Sequence, residues 1–125
     1  MLDFLNAGTG AHRVRELLRE SVQQDIPLLM SVANWGEVFY VVWQKRGEEA
    51  ARRAIENLSR LSIKPIPVDL EQSLKAAEIK TRHKMPYMDS LAAALAEIRQ
   101  AVLVTSDRDF EKLGRRIPIL WLSRA

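Results

Sequence analysis

The chain has 125 residues, no cysteine, and 19 Lys and Arg against 16 Asp and Glu, which gives a net charge of +3. This length predicts a single domain, and the absence of cysteine excludes disulfides and cysteine-based zinc sites, so we expect a reducing cytoplasm. The small positive charge permits a nucleic-acid partner without requiring one.

The first half of the chain predicts three helices and two strands. Apolar residues at helical spacing predict an amphipathic helix over residues 11–23, and a short strand follows near residues 28–30. Ser31 is the predicted N-cap of a second helix. This helix ends before Gly47, a residue that suits the left-handed position after a last helical turn. A third helix is predicted over residues 48–61. IKPIPV is a predicted strand, and its two prolines favour an edge position or an irregular one. The side chains expected on the inner faces of the second and third helices are Val32, Trp35, Val38, Phe39, Val42, Trp43, Ala51, Ala54, Ile55, Leu58 and Leu61.

The second half of the chain continues the alternation of helices and strands. Asp69 is the predicted N-cap of a fourth helix, and a fifth helix follows and ends near Ile98. AVLVT is a predicted strand, a small helix begins after Ser106, and IPILWL is the last predicted strand. This order predicts an α/β domain over residues 1–125, with a parallel sheet covered by helices on both faces. The residues expected on the inner side of the fourth helix are Leu74, Ala76 and Ala77.

Four carboxylates are candidates for a functional site. Glu37 is the only charged residue in the apolar segment 28–43, where a carboxylate has a high cost of desolvation. The polar residues of this segment also argue against a membrane span. Asp89 opens the run DSLAAALA, and Asp107 and Asp109 follow the strand AVLVT. Each has a purely structural alternative: Glu37 reaches solvent or pairs with a lysine, and the aspartates serve as caps or first-turn acids of helices.

The combination of these acids predicts a divalent metal site. Carboxylates brought close together repel one another, and bound Mg²⁺ or Mn²⁺ relieves that repulsion and retains water for chemistry. Such a water can attack a phosphodiester, and Thr105 and Ser106 can orient it or a phosphate oxygen, unless they are only turn residues. The basic cluster KTRHK at residues 80–84 either meets phosphates near the acids or is a solvated helix end.

Three phrases of the sequence carry a family resemblance. SVANWGEVFYVV, PYMDSLAAALAE and VTSDRDFEKL, in this order and spacing, resemble the PIN domain, and more narrowly the VapC-type toxin ribonucleases of toxin–antitoxin pairs. The resemblance extends from residue 4 to the end of the chain. It implies a three-layer α/β/α sandwich around a parallel sheet, and cleavage of RNA that depends on Mg²⁺ or Mn²⁺.

The resemblance also implies site residues and partners. Its acidic positions match Glu37, Asp89 and Asp107 as catalytic metal ligands, with Asp109 as a secondary acid. Family members commonly form homodimers, and a cognate antitoxin that inserts into the active-site groove holds them inactive. These partners are expectations for the present chain.

The start of the chain departs from the family pattern. Family members begin with a strand that ends in an aspartate, whereas this sequence opens at the helix that normally follows it. Either the chain is truncated at its front, which we favour, or Asp3 substitutes for the first acid. Loss of that central strand predicts unpaired edges on AVLVT and on the strand near Leu28, with reduced stability and impaired catalysis.

The favoured hypothesis is therefore a cytoplasmic, metal-dependent endoribonuclease of the toxin type, impaired by loss of its first acid. A first alternative is a catalytically silent module that dimerises or binds an antitoxin through the aromatic residues of the second helix, although core packing also explains them. These residues are Trp35, Phe39, Tyr40 and Trp43. A second alternative retains the nuclease chemistry but acts on structured DNA or on ribosomal RNA precursor.

Overall fold

The computed structural model of the protein describes residues 11–122. Within them, helices and strands follow one another in the predicted order, and the short helix before the last strand is a 3₁₀ helix. The α-helices are α1 Ala11–Gln24, α2 Val32–Arg46, α3 Glu48–Ser59, α4 Leu70–His83 and α5 Tyr87–Arg99. The strands are β1 Leu28–Ser31, β2 Ile63–Ile66, β3 Leu103–Thr105 and β4 Ile119–Trp121, and the 3₁₀ helix is Arg108–Leu113.

The first of two compact units is Val14–Pro67. In it β1 and β2 are parallel, with Leu28 opposite Ile63 in the register. Parallel strands need a long crossover between them, and α2 and α3, which pack against each other, provide it. The buried apolar side chains contributed by these elements are Met30, Val38, Ala51, Leu58, Ile63 and Ile66.

The second unit comprises the described residues 68–122 together with 11–13. In it β3 and β4 are parallel, with Thr105 opposite Trp121, and α4 packs along α5. Every residue of α5 from Ser90 to Ala96 is buried. A helix that is surrounded on all sides is held firmly by its neighbours, so the residues at its start are carried on a rigid element.

The fold is α/β with parallel strands, as predicted. Within residues 11–122, β1 pairs with β2 and β3 pairs with β4, and the structure describes no other strand pairing there. The predicted first acid, Asp3, lies outside the described residues. Among the described helices, none has both the length and the apolar character needed to cross a membrane.

Capping contacts confirm three of the predicted helix boundaries. Ser31 Oγ accepts a backbone N–H bond of 3.3 Å at the start of α2, and Asp69 Oδ1 accepts one of 2.8 Å from Gln72 at the start of α4. These bonds satisfy donors that the first turn of a helix leaves without partners. Gly47 ends α2 with φ at 94° and donates its N–H to the Trp43 carbonyl, a conformation that glycine adopts without strain.

The buried face of α2 differs from the prediction. Val32 and Trp43 were expected inside but are 41% and 43% exposed. The buried residues of α2 are Asn34 and Val38, one turn apart, and they lie on a different side of the helix from Val32 and Trp43, so the buried face is turned towards Asn34. Leu61 is exposed as well, because α3 ends before it. The other side chains predicted to face inward in α2 and α3 are buried or half-buried.

The buried face of α4 is also rotated relative to the prediction. Leu74 and Ala77 were expected inside and are exposed, whereas Ala76 is buried as predicted. The buried row of this helix is Gln72, Ala76 and Ile79. Gln72 Nε2 donates to a backbone carbonyl of α5 at 3.0 Å, and a hydrogen-bonded amide is tolerated in a protein interior.

Candidate metal centre

Asp107 and Asp109 lie where β3 ends and the 3₁₀ helix begins. Thr105 Oγ1 accepts a hydrogen bond of 3.0 Å from the Asp107 backbone N–H, and Asp107 Oδ1 accepts one of 2.9 Å from the Asp109 N–H. Asp107 is therefore the N-cap of the 3₁₀ helix, as the structural alternative predicts. Capping uses one carboxylate oxygen, so the same side chain still has a second oxygen to offer a cation.

Asp89 lies in the first turn of α5. The helix begins after Pro86, which has no side-chain capping bond, and Ser90 Oγ donates to the Pro86 carbonyl at 2.9 Å. Asp89 is half-buried and acts as a first-turn acid rather than as the N-cap. A carboxylate in this position is favoured by the helix dipole, and the buried run that follows fixes its backbone.

Asp89, Asp107 and Asp109 come together in space. One carboxylate oxygen from each of them lies within 4.8 Å of the others. Negative charges at this spacing repel one another unless a cation or a proton joins them. Carboxylate oxygens are the ligands that hard divalent cations such as Mg²⁺ and Mn²⁺ prefer, so the donor set fits such an ion. Asp89 and Asp107 are half-buried and Asp109 is exposed, which leaves the cluster accessible from solvent.

Thr105 and Ser106, the residues immediately before Asp107, are both buried. The Thr105 hydroxyl oxygen accepts the Asp107 N–H, so this side chain shapes the turn that carries the acid. That contact agrees with the interpretation of Thr105 as a turn residue. An accepting hydroxyl also retains its own O–H donor, so the contact does not conflict with a second role.

Glu37 belongs to the first unit, on α2. It is half-buried, and its Oε1 atom is inaccessible to solvent. Asn34 lies one turn earlier on the same face of the helix. In the described part of the chain, Asn34 Oδ1 and the neighbouring Trp35 Nε1 are buried without a hydrogen-bonding partner. The apolar segment around Glu37 therefore contains further buried polar atoms that its hydrophobic character did not predict.

A network of ion pairs in the second unit was missed by the sequence analysis. Arg116 donates from Nη1 to Glu78 Oε2 at 2.6 Å and from Nε to Glu97 Oε1 at 2.8 Å, and Lys75 Nζ lies 3.0 Å from Glu97 Oε2. The hydrogen bonds from Arg116 lower the pKa of Glu78 from 4.5 to about 2 and also lower the pKa of Glu97. Sequence patterns did not reveal this network, because its members are far apart along the chain.

The basic cluster at residues 80–84 connects α4 to the 3₁₀ helix. Lys84 ends α4 in the left-handed conformation, with φ at 56°. Its carbonyl accepts a bond of 3.3 Å from Lys112 Nζ, and His83 Nδ1 lies 3.1 Å from the Lys112 carbonyl. These contacts support the interpretation of the cluster as a helix end. They also hold the far end of the 3₁₀ helix whose first residues flank the acids.

Arg108, between Asp107 and Asp109 in sequence, stacks on an aromatic ring. Its guanidinium carbon lies 4.6 Å from the centroid of the Trp121 ring. Trp121 is opposite Thr105 in the parallel register, so the stacked pair lies at the carboxyl end of β3, the end that Asp107 follows. The distance is within the range of a cation–π contact. Neither residue was predicted to belong to the site.

Comparison with known proteins gives a family and a fold. The model of the PIN domain family matches residues 1–116, which is more than half of the chain. No functionally curated protein matches the sequence. Three solved structures similar to this chain are 16% to 20% identical to it, and identities this low establish similarity of fold alone.

Solved structures of toxin–antitoxin complexes share the fold. A DNA-bound VapBC from Salmonella typhimurium is 18% identical with a TM-score of 0.73, over 94% of this chain and 88% of that chain. VapBC2 from Rickettsia felis, bound to a DNA fragment from its promoter, is 16% identical with a TM-score of 0.73, over 97% and 91% of the two chains. VapBC-1 from nontypeable Haemophilus influenzae is 20% identical with a TM-score of 0.66, over 85% and 84%.

Proposed function

Because the chain belongs to the PIN domain family, whose members are generally nucleases, we propose that it is an endoribonuclease of the VapC toxin type that depends on Mg²⁺ or Mn²⁺. The observation that supports the proposal most directly is the convergence of three carboxylates within 4.8 Å at the carboxyl end of β3. In α/β proteins with parallel strands, ligands gather at the carboxyl ends of the strands.

We assign the metal-holding role to four acids. Asp89 and Asp107 are catalytic metal ligands in this proposal, and Asp109, which the sequence analysis treated as secondary, joins them because its carboxylate shares their cluster. Glu37 is retained as the fourth ligand in this proposal because it matches the acidic position of the family motif, and one of its carboxylate oxygens, Oε1, is inaccessible to solvent. A bound divalent cation would activate water for hydrolysis of an RNA phosphodiester and offset the charge that develops on the phosphate.

The protein side chains contribute positioning. Thr105 holds the turn of Asp107 through its hydrogen bond to the backbone, and in this proposal its O–H, or that of Ser106, orients the substrate. Because Asp89 and Asp107 are only half-buried and Asp109 is exposed, a nucleic-acid phosphate can approach without a change in the fold.

The proposal includes the partners of the toxin class. The similar structures are described as toxin–antitoxin complexes, and we propose a cognate antitoxin as the protein partner, a homodimer as the assembly and the cytoplasm as the location. Structured DNA or ribosomal RNA precursor remains the alternative substrate, because phosphate contacts carry no sequence information.

A catalytically silent module that binds an antitoxin or dimerises is the second candidate function. The observation that favours it is the exposure of two aromatic residues on α2, since Tyr40 is 46% and Trp43 is 43% exposed. Aromatic side chains are enriched at protein interfaces. A partner that co-purifies with the chain, without metal-dependent cleavage of RNA, would favour this candidate.

Substitution of Asp89 tests the nuclease. We expect the chain to cleave single-stranded RNA with Mn²⁺ and to lose this cleavage in EDTA. The substitution Asp89→Asn should lower the rate of cleavage at least about a hundredfold, because it removes one charged ligand from the cluster. Asp69→Asn is the matched control: it removes the same charge at an N-cap, where asparagine is equally suitable. Undiminished cleavage by Asp89→Asn, or cleavage that persists in EDTA, would contradict the proposal.

A further inference from the structure

Arg108 is a cation placed between two acids of the candidate metal centre. An RNA strand carries a negative charge on every phosphate, and three carboxylates in one cluster repel it. A positively charged side chain on the residue between two of these acids offsets part of this repulsion. Arg108 is adjacent in sequence to both Asp107 and Asp109, so its backbone lies within about 4 Å of theirs.

The contact with Trp121 restricts where the Arg108 guanidinium lies. A guanidinium held over an aromatic ring can present its flat face to the ring, which leaves its N–H donors available to a ligand. The guanidinium carbon lies 4.6 Å from the ring centroid. The stacked side chain is thus held at the carboxyl end of β3 with its hydrogen-bonding edge available.

The ion pair with Glu111 is only a weak contact for the N–H donors of Arg108. Arg108 Nε lies 3.7 Å from Glu111 Oε1, which is too long for a hydrogen bond, and both side chains are more than half exposed. Ion pairs of this kind contribute little to stability. A phosphate, which offers two oxygens to the planar donors of an arginine, is a better partner than this distant carboxylate.

We propose that Arg108, oriented by Trp121, binds a backbone phosphate of the RNA strand next to the bond that is cleaved. This inference rests on the proposed nuclease function and names the residue that positions its substrate. Contacts to phosphate set the position of a strand but do not read its sequence, so the contribution of Arg108 is the same for RNAs of different sequence.

Binding of a short single-stranded RNA, measured by fluorescence anisotropy in EDTA so that the strand stays intact, tests the proposal. We expect Arg108→Gln to weaken binding about tenfold, as for loss of a hydrogen bond to a charged group. The slope of log K against log salt concentration should become shallower by about 0.7, the value for one phosphate of a single strand. Arg108→Lys keeps the charge but not the planar donors, so it should retain the slope and lose part of the affinity.

Arg99→Gln is the matched control, because it removes the same charge from an exposed residue in the last turn of α5. Arg99 is ten residues beyond Asp89 along the helix, and a rise of about 1.5 Å per residue places the two about 15 Å apart. We expect Arg99→Gln to bind RNA nearly as the unmodified chain does. Equal affinity and equal salt slope for Arg108→Gln and Arg99→Gln would overturn the proposal.

Two further measurements separate this inference from the proposed function and from a structural role. In cleavage with Mn²⁺, Arg108→Gln should raise KM about tenfold and leave kcat nearly unchanged. The affinity for Mn²⁺, measured by calorimetry, should not fall, because a neighbouring cation opposes metal binding. A fall in Mn²⁺ affinity would show that Arg108 supports the metal centre instead, and would overturn the inference. If Asp89→Asn abolishes cleavage while Arg108→Gln changes neither KM nor binding, the nuclease stands and the inference fails.

Discussion

Asp107 caps the 3₁₀ helix and also contributes an oxygen to the acidic cluster. Its backbone N–H is bound in turn by the buried hydroxyl of Thr105. The position of the carboxylate thus depends on two hydrogen bonds between residues close together in the chain, rather than on distant packing. Local contacts of this kind fix the direction of the side chain before any cation is bound, which favours a preformed site.

Replacement of Thr105 tests this local control. Thr105→Val keeps the shape of the side chain and removes the acceptor, so we expect the free energy of unfolding to fall by about 1 kcal/mol and the affinity for Mn²⁺ to weaken. Urea denaturation and calorimetric titration measure the two effects. Thr81→Val is the control, because Thr81 Oγ1 bonds the Ala77 carbonyl on an exposed face of α4. Equal Mn²⁺ affinities of the two variants would contradict the expected role.

At the scale of the element, α2 and α4 each bury a side-chain amide. Asn34 lies in the buried row of α2, and Gln72 lies in that of α4. Hydrophobic periodicity assigns side-chain amides to the exposed face of a helix. The predicted buried faces of α2 and α4 are therefore rotated by part of a turn from the observed ones. The apolar residues Leu74 and Trp43 are consequently exposed although the sequence pattern places them inside.

Paired substitutions in α4 test which face is buried. We expect Leu74→Gln to change the free energy of unfolding by less than about 0.5 kcal/mol, because the side chain is 62% exposed. Ala76 is fully buried, so Ala76→Gln should destabilise the protein by about 2 kcal/mol or more through overpacking. Urea denaturation measures the change in the free energy of unfolding for both variants. The reverse order of the two losses would show that the predicted face, and not the one described, is buried.

At the scale of the whole molecule, Arg116 joins segments that are distant in sequence. Arg116 lies in the segment that leads into β4, and its guanidinium binds Glu78 on α4 and Glu97 on α5. The side chain of Arg116 is 21% exposed, so these ion pairs are partly shielded from water. The network therefore stabilises the packing of the unit that carries the aspartate cluster.

The same network predicts how stability depends on pH. The pKa of Glu78 falls from 4.5 to about 2 on folding, so its contribution to stability is fully present above pH 4.5 and is lost as the pH falls towards 2. Glu97, whose pKa is also lowered, acts in the same direction. Because the Glu78 side chain is 33% exposed, solvent screening moderates the effect.

Substitution of Arg116 tests this pH dependence. We expect Arg116→Gln to reduce the free energy of unfolding at neutral pH by about 2 kcal/mol, as for loss of hydrogen bonds to charged groups, and to flatten its decline in acid. Urea denaturation at a series of pH values measures both. Arg82→Gln removes the more exposed partner of Glu78 and should have a smaller effect. A decline in acid as steep in Arg116→Gln as in the unmodified chain would contradict the assignment.

Much of the candidate site could be predicted from residue order alone. Asp107 was expected after a strand, and both its capping role and its place among the acids follow from that position. Asp109 was assigned a secondary role, and its carboxylate lies in the cluster with Asp89 and Asp107. Sequence spacing locates such residues along the chain, but the directions of their side chains depend on hydrogen bonds that spacing does not encode.

By itself, the sequence determined the order of helices and strands, three helix boundaries and the positions of the candidate acids. These features depend on residues close together in the chain, namely periodicity, caps and glycine, and local physical chemistry is sufficient for them. Only the tertiary structure decided the buried faces of α2 and α4, the ion pairs of Arg116 and the stacking of Arg108 on Trp121. Each of these depends on a partner from another element, and that partner is defined only when the chain has folded.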